Sequence, residues 1–273
     1  VFSRVGACSS LTEHPADQSG EIRDDEQRHG YAVSAALQNR FCLWDRLFIT
    51  PGVRIENYFS NRRVLREQVT HADGKVAGVS VDTFGSAFSF ALIPGLGISA
   101  RLAAPLTLYA GVHRGYAPPR SKDSVSPTGQ DLQLDPELSW NTELGARLQV
   151  GRWLSVEVAG FWLEFENQII PPSEAGGAVS GGSFNSGKSR HIGVESSGMF
   201  DVAGPLGWAS VSIPISIGYT FLPAAMFSDG IYDGLRLPYA PVHQLSAQYR
   251  FSHRIGIDAQ VQFLGVVRDV PER

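Results

Sequence analysis

Long apolar runs are missing from this sequence. None approaches the ~20 residues that a transmembrane helix needs, so no helix is expected to span a bilayer. Charge is scarce as well. Asp, Glu, Lys and Arg make up 18% of the 273 residues, below the roughly one quarter of ordinary soluble domains. The net charge of −4 contains no basic excess, so a nucleic-acid partner is not expected. Cys8 and Cys42 are the only cysteines and lack CxxC spacing, which excludes a cysteine metal motif and leaves both expected as free thiols. Val1-Phe2-Ser3-Arg4 is not a basic start followed by an apolar stretch, so a signal peptide is expected to be cleaved or outside this chain. Catalytic signatures are missing too. His14, His29, His71, His113, His191, His243 and His253 form no HExxH spacing, and neither GxSxG nor a P-loop occurs. Neither an enzyme, a resident cofactor nor a protein-held metal is expected.

What is present is alternation. Segments near 31–43, 47–58, 85–102, 106–114, 140–150, 153–166, 188–201, 207–220, 241–251 and 255–267 read as strands. Most run about 10–14 residues, against about 5–6 in soluble sheets and about 9–11 for a tilted strand crossing hydrocarbon. Their side chains sort by parity. Trp140, Leu144, Ala146, Leu148 and Val150 oppose Asn141, Glu143, Arg147 and Gln149. Ile255, Ile257, Ala259, Val261 and Phe263 oppose Asp258, Gln260 and Gln262. Very short joins, such as Trp44-Asp45-Arg46 and Gly151-Arg152, alternate with long ones near 59–84, 115–139, 167–187 and 221–240. Short turns at one end and long loops at the other are the layout of an antiparallel transmembrane β-barrel, with the turns periplasmic. A soluble sandwich also alternates; strand length and loop asymmetry favour the barrel.

Two features are open at this level. From 153 to 166, Leu154, Val156 and Val158 share one parity, while Phe161, Leu163 and Phe165 share the other. A β-bulge near Gly160 would turn Trp162, Glu164 and Glu166 inward; alternatively the strand leaves the membrane there and facing ceases to matter. Trp44, Tyr58, Phe59, Tyr116, Trp140, Trp153, Phe165, Trp208 and Phe221 lie near strand ends, as interfacial girdles do; alternatively they reflect only the richness of strands in aromatics. Glu21–Glu26 is an acidic run expected in a solvated outer loop.

Specific wording narrows the class. Leu108-Tyr109-Ala110-Gly111-Val112-His113-Arg114-Gly115-Tyr116-Ala117-Pro118-Pro119 resembles the Arg-Gly-aromatic-x-x-Pro strand of TonB-dependent outer-membrane receptors. Leu134-Asp135-Pro136-Glu137-Leu138-Ser139 through Glu143 and Gly145 resembles their returning strand. Phe165-Glu166-Asn167-Gln168-Ile169-Ile170, then Asn185-Ser186-Gly187 with Gly193-Val194-Glu195, and then Leu237-Pro238-Tyr239-Ala240-Pro241-Val242-His243 follow in family order. The branch most resembled is that of ferric citrate and other siderophore receptors. The resemblance implies a 22-stranded barrel closed by a plug and energised by a TonB complex acting through that plug. Residues 1–273 would be a partial barrel domain of about ten strands, incomplete at both ends and without the plug.

The resemblance also implies the ligand. An anionic or oxygen-rich ferric chelate calls for Arg as a bidentate partner and for aromatic contacts, with the iron carried inside the chelate. Arg114, Tyr116, Arg120, Lys122, Asn167, Gln168, Arg190 and His191 are the candidate ligand-binding residues. Glu143, Arg147, Glu157 and Glu195 read as lumenal and structural. The expected partners are a ferric chelate, the TonB complex and outer-membrane lipid. A passive porin or a barrel anchoring another outer-membrane protein is the alternative, and a secreted β-sandwich binding module is a third reading.

Overall fold

The computed structural model describes residues 3–8, 22–70, 74, 76–120, 124–126, 128–132, 134–167, 169–170, 184–185, 187–230, 232–237 and 240–267. Strands dominate. In chain order they are β1 (Ser3–Cys8), β2 (Ile22–Gln38), β3 (Phe41–Leu43), β4 (Leu47–Thr70), β5 (Val76–Ala103), β6 (Leu106–Ala117), β7 (Glu137–Val150) and β8 (Leu154–Glu166). There follow β9 (Ile169–Ile170), β10 (Phe184–Asn185), β11 (Ser189–Asp201), β12 (Val211–Ser212), β13 (Pro214–Phe227), β14 (His243–His253) and β15 (Ile257–Val267). All but β9 and β10, which pair with each other, form one 13-stranded sheet in which every pairing is antiparallel, with β8 followed in the sheet by β11 and then β13. β3 continues the line of β2, and β12 that of β13.

Each of the ten predicted strands is present, and β1 adds another, paired to the outer part of β2. The predicted loop at 59–84 is instead ladder. β4 runs 24 residues and β5 28, so this hairpin rises well past the others. Above the lipid both faces are wetted, so the apolar–polar alternation fades while the backbone ladder continues. The acidic run is corrected likewise. Glu21 lies outside the described residues; Asp25 and Glu26 lie in β2 and are 9% and 8% exposed, and Arg62 of β4 donates to Glu26 (2.6 Å) across the strand pair.

Directly paired residues share a face, so registers sort the sheet between its bulges. One row runs Ile49, Ile98, Ala110, Leu144, Gly160, Val194, Phe221. Leu144 on it is 67% exposed, and Val158, Ile217, Val261 and Phe263 on the same face are also exposed. An exposed apolar face this broad is a lipid surface. The opposite face carries Tyr109, Glu143, Arg147, Glu157, Glu195, Thr220 and Gln244. It is the lumenal wall. Phe59, Trp140 and Phe221 keep to the lipid side as girdle residues, whereas Tyr58 and Phe165 turn to the lumen.

The turns close tightly at the other end. Trp44 and Asp45 both adopt positive φ (51° and 56°), and Arg46 N donates to Leu43 O (3.2 Å). That is the type I′ geometry whose twist matches a hairpin.

Candidate functional site

The lumenal wall at the loop end is built by β4 to β8 and β11. Lower on the wall, toward the short turns, Arg147 makes a bidentate contact with Glu157 (3.0 and 2.9 Å), and Tyr109 Oη donates to the same carboxylate (2.7 Å). These groups lock β6, β7 and β8 together across the wetted face, matching the structural role read from the sequence. Tyr109 has room because Gly145 opposes it; a Cβ there would sit 2.5 Å from the ring.

Above this network two recesses open toward the mouth. One, of about 230 Å³, is lined by Tyr58, Ser60, Ser89, Ser124, Asp131 and Asp135 among others. Its roof is the β6–β7 connection, which folds back onto the wall. Arg62 Nη1 donates to Val125 O (2.6 Å), Ser60 and Ser124 hydroxyls meet at 3.3 Å, and Val125 is fully buried. Gly85 makes this seating possible, since a Cβ would fall 2.4 Å from Gly129 O. The other recess, about 420 Å³, is lined by His113, Tyr116, Asn141, Glu143, Phe161, Leu163 and Phe165 among others. Tyr116 borders it and also reaches Ser89, beside the first recess (Oη to Oγ, 3.1 Å). By alternation Tyr116 belongs with Arg114 on the outer face. The β5–β6 ladder ends at Gly95 and His113, and beyond it the Tyr116 hydroxyl meets Ser89, which pairs with Tyr58 on the lumenal side.

A family model described as TonB dependent receptor-like, beta-barrel, matches residues 9–268. The chain belongs to this family. TonB-dependent receptor barrels are proteins of the bacterial outer membrane, and the family is one of transport receptors and not of enzymes. Solved structures agree in fold. The ferric-catecholate import receptor Fiu of E. coli K12 is similar at 18% identity over 89% of this chain and 35% of its own, with a TM-score of 0.63. The ferric yersiniabactin uptake receptor FyuA of Yersinia pestis matches at 18% identity over 83% and 32%, with a TM-score of 0.57. The ferric citrate transporter FecA, unliganded, matches at 22% identity over 85% and 32%, with a TM-score of 0.56. The chain spans about a third of the length of these proteins.

Within this receptor barrel the residues picked from sequence separate into two groups. Tyr116 and His191 face the lumen; His191 meets Phe165 edge-on at 5.1 Å between ring centroids. Arg114 and Arg190 do not. They share the lipid-side row with Trp140 and Glu164. Arg114 pairs with Glu166 and lies 5.0 Å over the Trp140 ring, while Arg190 pairs with Glu164 and lies 5.4 Å over Trp162. Such a belt of aromatic and charged groups suits headgroup depth. Arg120 is exposed where the outer loop leaves β6, and its carbonyl caps Ser124. Asn167, with φ of 56°, turns the chain at the end of β8. Lys122 and Gln168 lie outside the described residues.

His113, Asn141, Phe161, Leu163 and Phe165 were not among the sequence-picked candidates. For Phe161, Leu163 and Phe165 the signal was the parity change in 153–166, left undecided above. Registers β7–β8 and β8–β11 are unbroken through Gly160, so no bulge exists there, and Trp162, Glu164 and Glu166 point outward.

Proposed function

We propose that the full receptor captures a ferric chelate at the outer, loop-bearing mouth of the barrel and passes it inward, energised by TonB. The observation that supports this reading is a pair of recesses joined by the Tyr116–Ser89 hydrogen bond on the lumenal wall of a TonB-dependent receptor barrel. Each is bounded by hydroxyl, carboxyl and ring groups placed by strands, an arrangement suited to small-ligand sites. Iron arrives as cargo inside the chelate, and no resident cofactor is called for. Tyr116 and His191 are the candidate contact residues that line this path, with Arg120 and Asn167 at its rim. Arg114 and Arg190 are assigned to the lipid-side belt.

Uptake tests the reading directly. Cells carrying the full-length gene are expected to accumulate ⁵⁵Fe from a ferric chelate when TonB is present and to lose that uptake when it is deleted. Import of a different nutrient, with no iron chelate taken up, would overturn the iron reading. Uptake that persists without TonB would instead support a passive pore.

A further inference from the structure

The tall stem of β2, β4 and β5 is covered on one side by its own chain. Its lumenal face lies under the β6–β7 connection, where Ser60 and Arg62 are buried against Ser124 and Val125, and Gly85 meets Gly129. Its outward face is exposed instead. The β2–β4 and β4–β5 registers run unbroken from the lipid rows up to Gln27, Arg63 and Phe84, so facing does not change on the way. Tyr31, Phe59 and Phe88 form one outward row of exposed rings, at the level of an outer girdle. His29, Asn61 and Ser86 form the next row, and Gln27, Arg63 and Phe84 the one above it. Phe84 is 64% exposed, more than Phe88 or Phe90 beneath it.

Height decides what can cover Phe84. It lies four residues beyond Phe88, about 13 Å along a strand and about 10 Å along the membrane normal at the usual ~40° tilt. Phospholipid headgroups extend only about 5–8 Å outside the hydrocarbon. Phe84 therefore stands above a phospholipid surface, and a ring exposed there is unfavourable unless an apolar surface covers it. We propose that the outward face of this stem docks the saccharide headgroup of an outer-leaflet glycolipid, with a sugar ring stacked on Phe84. The face continues the lipid surface without a break in register, so a molecule anchored by acyl chains against the lower rows reaches the upper ones along the same strands. The C–H face of a pyranose is apolar and suits the ring, while its hydroxyls and phosphates call for donors at the edge. Asn61 and Gln27 supply amides there, and Arg63, which grips Asp82 through Nε and Nη2, adds the donors of Nη1. The inference concerns the membrane side of the barrel and is independent of the cargo read for its lumen.

The test uses the full-length receptor in phospholipid nanodiscs with two probes: rough-form lipopolysaccharide, which carries a core saccharide, and lipid A, the same anchor without that core. Retention of each is read by native mass spectrometry, and folding by heat-modifiable electrophoretic mobility. Phe84→Ser is expected to weaken retention of the core-bearing glycolipid about tenfold and to hold lipid A as the parent does. Phe84→Tyr, which keeps the ring, is expected to match the parent with both. As a second readout, Gln27→Cys, in a receptor whose other cysteines are replaced by serine, is expected to react readily with a water-soluble maleimide in phospholipid alone. With the core-bearing glycolipid present, the reaction is expected to slow. Slow alkylation in phospholipid alone would mean that protein, from the receptor or a second copy, covers this row, and it overturns the proposal. So does retention of the core-bearing glycolipid that Phe84→Ser leaves unchanged. Equal weakening of both probes overturns it too, because the contact would then belong to the anchor and not to the saccharide.

Discussion

Glycine on the lumenal wall exchanges side-chain volume for a neighbour's ring. Gly145 accommodates Tyr109, and Gly193 accommodates Phe161. The arrangement at Gly145 matters because the Tyr109 hydroxyl is aimed from there at Glu157, which Arg147 grips from the next strand. Gly145→Ala would force a Cβ to within 2.5 Å of the ring, and overpacking of this kind costs about 1–3 kcal/mol. Combining it with Tyr109→Ser, which removes the ring, is expected to recover most of that steric loss, leaving only the missing hydroxyl–carboxylate contact. A double-mutant cycle by denaturant unfolding in detergent measures the coupling; additive effects would refute the steric account. At this scale the site was only half legible. Tyr116 and His191 could be picked because polar residues in a motif stand out. Leu163 and Phe165 could not, since an apolar residue in a membrane strand is assigned to lipid until its register is known.

The β4–β5 hairpin behaves differently from the other elements. Its outer part, above the Phe59–Phe88 ring contact (4.9 Å between centroids), has no hydrocarbon to order it and relies on the ladder and on cross-strand ion pairs. Arg63 grips Asp82 bidentately at 2.7 and 2.9 Å. The hydrogen bond from Arg63 holds the Asp82 carboxyl below its ordinary value. A carboxyl whose folded pKa is depressed contributes stability above its unfolded value of about 3.9, and that contribution disappears as pH falls through the lowered value. Both groups are well exposed, so the effect is local and sensitive to salt. Amide-exchange protection at the hairpin tip is therefore expected to fall in Asp82→Asn at neutral pH. In the parent it is expected to fall to the variant's level only in strong acid. Equal protection in both at pH 7 would show that the ladder alone holds the tip. Charge patterning misled the sequence reading here: an acidic run reads as solvated only while the Arg residues that meet it, brought across by pairing, are out of view.

The molecule as a whole is a curved sheet with one greasy face and one wettable face, loops at one rim and turns at the other. This arrangement is an orientation claim that cysteine labelling of the full receptor in cells can check, with Cys8 and Cys42 replaced by serine. A membrane-impermeant maleimide is expected to reach Ser126→Cys in the β6–β7 connection on intact cells, and Arg254→Cys in a short turn only after the outer membrane is permeabilised. The reverse pattern would invert the sheet, and the recesses would then open toward the periplasm. Glu157→Cys and Val158→Cys, adjacent on β8, are expected to differ in the same way between aqueous and lipid-soluble probes. Their side chains leave opposite faces.

The existence of the strands, their antiparallel order, the lipid face and the family were written in the sequence. They depend on a two-residue period, on strand length and on motif wording, all of which are local. The height of the β4–β5 hairpin, the burial of Glu26 against Arg62, the outward turn of Arg114 and Arg190 and the inward turn of Phe161, Leu163 and Phe165 were decided only by tertiary structure. Each depends on which residue of a neighbouring strand lies opposite, and a one-residue change of register moves a side chain from lipid to lumen.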